Sequence, residues 1–145
     1  MRNGCFLGKK RCWTDLVLKD SQVFSIRRLK ASFQYALEGL RYAVKHEKNI
    51  RIHLLAAFTT IILSILFQLT AFEWLFIVLA IFTVLVLELV NSAIERTVDL
   101  ATTEIKPLAK QAKDIAAAAV LLAATMAVIV GVIIFGPKFI DLFLK

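Results

Sequence analysis

Three stretches of this chain, Ile52–Leu69, Trp74–Leu87 and Ile115–Phe135, contain no Asp, Glu, Lys or Arg. At ~1.5 Å per residue an 18-residue helix covers roughly 27 Å, about the thickness of a bilayer's hydrocarbon layer. A backbone inside that layer must satisfy its own hydrogen bonds, which leaves helices and closed barrels. The runs are too long and too evenly apolar for the alternating strands of a barrel, so the expected fold is an all-α membrane protein with three transmembrane helices. The hydrophobic content, 59% of the 145 residues, agrees, since a soluble domain is usually about 45–50% apolar.

The spans are placed at about 52–69, 74–101 and 112–135, within a membrane domain covering 26–145. Gln68 to Glu73 form a short polar turn between the first two, Trp74 anchors the second at the interface, and Gly136-Pro137 is expected to stop the third. Upstream, Ile26, Leu29, Phe33, Leu37, Leu40 and Val44 recur at spacings of three and four, which predicts an amphipathic surface helix over 26–49. Residues 1–25 read as a basic N-terminal tail without an apolar stretch suited to a cleavable signal. Cys5 and Cys12 lie on it without metal-ligand partners at suitable spacing, and are expected to be reduced cytoplasmic thiols.

Charge orients the chain. Of the 18 Lys and Arg, 12 precede Ile52, four (Arg96, Lys106, Lys110, Lys113) lie between the second and third spans, and two follow the third. The positive-inside rule then sets the N-terminus and the 96–113 loop in the cytoplasm of a multi-pass cell-membrane protein, with the C-terminus outside. Nucleic acid is a poor partner for the net charge of +7, because no folded soluble segment carries it.

The chemistry concentrates where the second span ends. Glu88, Asn91, Glu95 and Asp99 are spaced 3, 4 and 4, which puts them in one stripe of a helix face. A carboxylate after 14 apolar residues is expensive to insert, and such a residue is by default a functional candidate. Phosphoryl transfer from a nucleotide requires a divalent metal, a base or positioning group for the attacking hydroxyl, and a cation on the phosphates. Glu95, nearer the cytoplasm, suits Mg2+, which takes one or two carboxylates with substrate phosphates. Glu88, about 10 Å deeper by helix rise, suits a lipid hydroxyl at the membrane boundary, with Asn91 between them to hold an orientation. Lys113-Asp114 before the third span offers a cation for phosphate, and Glu47 at the end of the surface helix is placed to reach the same cytoplasmic mouth. The competing reading is a polar stripe that holds helices together by ion pairs with Arg96 or Lys113.

The segment Glu88-Leu-Val-Asn91-Ser-Ala-Ile-Glu95-Arg-Thr-Val-Asp99, followed by Ala112-Lys113-Asp114 and an Ala-rich span, resembles the prokaryotic diacylglycerol kinase family, which includes the undecaprenol kinases of Gram-positive bacteria. The resemblance extends upstream through Glu38-Gly39-Leu40-Arg41 and Glu47 to Arg51, and covers roughly residues 26–135. It implies a homotrimer with active sites shared between subunits, using Mg2+ and ATP to phosphorylate a membrane lipid alcohol. By it, Glu88 would be the catalytic base and meet the lipid substrate, and Glu47 and Glu95 would hold the metal on ATP. Asn91, Lys113 and Asp114 would contact the nucleotide, together with Arg28, while Tyr35 would lie near the lipid substrate. Asp99 matches the motif without an assigned role. His53 stands where the diacylglycerol kinases of Gram-negative bacteria carry a Glu, Ile52 replaces a polar residue, and Ala116-Ala117 replaces a Gly-Ser pair. These departures favour undecaprenol as acceptor, with diacylglycerol the alternative. A non-enzymatic oligomeric channel or assembly protein is the alternative of another class; a channel, however, would carry polar residues along its whole length, and here they gather at one end.

Overall fold

The computed structural model describes residues 26–102, 104 and 106–144, the side chains of Arg27 and Phe143 aside. The N-terminal tail inferred over 1–25 lies outside the described residues. Among the described residues four helices follow one another: α1 (Ile26–His46), α2 (Lys48–Leu66), α3 (Ala71–Ala101) and α4 (Pro107–Phe143). The last three are long and apolar enough to cross a membrane. The chain divides into two compact units, up to Gly39 and from Leu40 onward. In the first, residues 26–39 of α1 expose Ile26, Leu29, Phe33 and Tyr35.

The second unit holds the three long helices. α1 ends at His46 and α2 begins at Lys48, so the expected helix over 26–49 stops short, at one extended residue, Glu47 (φ −94°, ψ 120°). The His46 ring donates from Nδ1 to the Tyr42 carbonyl one turn back in α1, at 2.8 Å. Within α2 the hydroxyls of Thr59, Thr60 and Ser64 donate to carbonyls four residues back at 2.8–2.9 Å, so none is left unpaired in an apolar setting. Gln68, at φ 49°, turns the chain in the left-handed region, and Thr70 caps α3 in a reciprocal pairing with Glu73.

α3 packs more extensively against α4 than against α2. At the end distant from the acidic stripe, Leu69, Ile77, Ile134 and Phe135 form a buried cluster, with Phe67 and Trp74 packed on it. α4 departs from the sequence expectation at both ends. It begins at Pro107 rather than 112, with the proline in the first turn, where a missing N–H costs nothing. It also continues through Gly136-Pro137 to Phe143 instead of stopping there. The stretch beyond the proline has tertiary partners that a local rule cannot include. The Phe139 ring meets Phe67 edge-on at 4.9 Å, and Lys138 pairs with Glu73 at 3.1 Å.

Candidate functional site

The stripe on α3 runs from buried to exposed. Glu88 is 2% exposed and Asn91 5%, Glu95 is half-buried, and the Asp99 side chain is exposed. By helix rise Glu88 lies about 26 Å along α3 from Ala71, close to the far boundary of a hydrocarbon layer that the helix enters at its N-terminus. Helical geometry places the four residues on one face because their spacings sum close to whole turns. Ser92, also buried, sits beside them and was not singled out from the sequence.

Asn91 donates from Nδ2 to Glu95 Oε1 at 2.9 Å, which fixes the amide and leaves Asn91 Oδ1 buried with no hydrogen-bond partner. A buried acceptor left open in this way is expensive unless a ligand supplies a donor or a cation. Among the described residues neither Glu88 nor Glu95 belongs to an ion pair.

The cations go elsewhere. Arg96, directly after Glu95, donates to Glu47 Oε1 at 2.5 Å and to the Tyr42 hydroxyl at 3.0 Å. Lys113 donates to Asp99 Oδ1 at 2.5 Å, and Lys110 to Asp114 Oδ2 at 2.8 Å. Thus Glu47 and Lys113 both reach the 95–99 stretch of α3. The helix-joining ion pairs expected as the competing reading do form, but through Glu47 and Asp99, so Glu88 is not spent on them. Sequence reasoning missed Tyr42; its i, i+4 spacing to His46, on which it stacks at 4.0 Å, was the available signal.

Two of the cavities among the described residues bear on this unit. One, of about 450 Å³, is lined by charged groups of the α3–α4 connection: Asp99, Lys106, Lys110, Lys113 and Asp114 among them. Its volume lies within the ~300–1,000 Å³ usual for small-molecule sites. Glu88, Asn91 and Glu95 do not line it. The other, of about 400 Å³ between α2, α3 and α4, is apolar, lined by small residues such as Ala57, Ala80, Ala124 and Gly131, with His53 on its wall. Arg28 and Tyr35 are exposed in the 26–39 unit. No group of three or more His, Cys, Asp or Glu suited to a metal occurs among the described residues.

The family model of prokaryotic diacylglycerol kinase matches residues 34–135. The chain is 42% identical over 113 residues to the undecaprenol kinase of Bacillus subtilis (strain 168), covering 78% of this chain and 92% of that protein. It is 36% identical over 119 residues to a diacylglycerol kinase of Helicobacter pylori (82% of this chain, 90% of the relative). To the diacylglycerol kinase of Escherichia coli (strain K12) it is 31% identical over 105 residues (72% and 86%). A match that spans the acidic stripe, the Lys113-Asp114 pair and all but the ends of the helical bundle leaves one assignment: the chain belongs to the prokaryotic diacylglycerol kinase family.

Proposed function

We propose that this chain is a lipid kinase that transfers the γ-phosphate of ATP to the hydroxyl of a membrane lipid alcohol, with undecaprenol as the preferred acceptor. The observation that carries the reading is Glu88: a buried carboxylate at the end of an apolar span, outside every ion pair of the described residues, one turn from a buried and open Asn91 Oδ1. The likeness to an undecaprenol kinase over most of both chains supports the choice of acceptor, and diacylglycerol is the second choice.

In this reading Glu88 takes the proton from the lipid hydroxyl as its oxygen bonds to the γ-phosphorus. The bridging P–O bond breaks, and ADP leaves with the electron pair. Asn91 holds Glu95 toward the nucleotide, and Lys113 and Asp114 contact it from the charged cavity, where Lys113 exchanges Asp99 for phosphate. Arg28 reaches the nucleotide and Tyr35 the lipid from α1, which lies as an amphipathic helix on the cytoplasmic surface. The residues present fit Mg2+: Glu95 and Glu47 offer hard oxygens, and one or two carboxylates suffice when phosphates complete the shell. When bound, the ion neutralises phosphate charge. The protein assembles as a homotrimer in the cell membrane, N-terminus inside and C-terminus outside.

The test offers purified protein radiolabelled ATP with undecaprenol and diacylglycerol side by side in mixed micelles. Labelled undecaprenyl phosphate in excess is expected. Equal labelling removes the acceptor preference, and labelling of neither lipid removes the kinase reading.

A further inference from the structure

Arg96 is held on two sides. One amino group of its guanidinium donates to Glu47 Oε1 and the other to the Tyr42 hydroxyl, and its central carbon lies 4.6 Å from the centroid of the Tyr42 ring. That ring in turn stacks on His46. A planar guanidinium suits such a place, since it can fork between two oxygens while resting on an aromatic face. The Glu47 it grips is the one extended residue between α1 and α2, and Arg96 itself directly follows Glu95 on α3. The Glu47 side chain is 24% exposed and Arg96 45%, so the pair is open to exchange.

Oε1 of Glu47 is thus already engaged by a cation. A metal that takes the same carboxylate competes with Arg96 for it, and by linkage whatever favours one disfavours the other. We infer that Arg96 is a positioning residue for Glu47, an internal counter-cation that keeps the carboxylate at the α1–α2 junction in place and that the metal–nucleotide displaces on binding. The inference rests on the reading that Glu47 serves the metal. Its consequence runs against the usual effect of deleting a charged residue beside a site: removing Arg96 tightens metal binding.

The experiment titrates Mn2+ into detergent-solubilised full-length protein with a non-hydrolysable ATP analogue and reads free Mn2+ by electron paramagnetic resonance. Arg96→Ala is expected to bind Mn2+ about two- to fivefold more tightly, as loss of a partly exposed competing pair implies. Arg96→Lys keeps a competing charge and stays near wild type. Tyr42→Phe keeps the ring, loses the hydroxyl and shifts affinity in the same direction by less than Arg96→Ala. With Glu47→Gln in the background, Arg96→Ala has no further effect. Arg96→Gln carries the same expectation as the alanine variant and replaces it where that variant loses its fold. Unchanged or weaker binding by folded Arg96→Ala or Arg96→Gln protein overturns the inference while leaving the kinase reading standing. Wild-type protein that retains no Mn2+ with the analogue removes the nucleotide site itself, and this inference with it.

Discussion

At the scale of single residues the site is defined by which carboxylates are neutralised and which are not. Asp99 and Glu47 have cations, whereas Glu88 is 2% exposed and joins no ion pair among the described residues. Burying such a group without a partner costs free energy, and the cost is tolerable where the reaction uses the group. Glu88→Gln keeps the shape and removes the proton acceptor. It is expected to lower kcat by about 100-fold or more. The thermal midpoint stays level or rises, because a buried charge has been removed. Activity close to wild type in a steady-state assay would make Glu88 a structural group. The stripe itself was legible from the spacing of Glu88, Asn91, Glu95 and Asp99, since helical periodicity alone puts them on one face. Which carboxylate each cation chooses was not legible. Arg96 and Glu47 are 49 positions apart, and their pairing depends on where the α1–α2 junction meets α3.

Among the elements, α2 and α3 stood out in the sequence because apolar runs of membrane length have few alternatives. The ends of α4 did not. Its first turn is charged and so resembles a loop, and Gly136-Pro137 has the local chemistry of a stop. The helix persists beyond the proline where Phe139 meets Phe67 and Lys138 meets Glu73, contacts between segments that no window along the chain brings together. Glu73 therefore serves two helices: it completes the cap with Thr70 at the start of α3 and pairs with the end of α4. Glu73→Ala is expected to speed amide hydrogen exchange at both places, the first turn of α3 and residues 138–143, with little change at Asn91. Faster exchange in the first turn of α3 alone would show that the cap matters and the Lys138 pair does not, and unchanged exchange at both would remove the double role.

For the whole molecule, the three long helices bury only 11%, 33% and 17% of their most apolar windows within one chain. Lipid or neighbouring subunits must cover the rest, and the proposed homotrimer divides that surface between them. Glu47, Glu88, Asn91, Glu95 and Lys113 all belong to the unit from Leu40 onward of one chain, where Glu47 and Lys113 both contact its own α3. If the trimer shares its sites as proposed, Arg28 and Tyr35 of residues 26–39 are the candidates for a neighbour's contribution. Cyclic symmetry turns this into a measurable complementation. Glu88→Gln subunits supply an intact Arg28, and Arg28→Ala subunits supply an intact Glu88. Randomly mixed trimers then assemble intact sites at about a quarter of their interfaces, the statistical expectation for a site with two contributing chains. Co-expressed variants should recover activity toward that level above either variant alone. Recovery that is absent, while cross-linking shows that the two variants do assemble together, would mean that each chain builds its site alone.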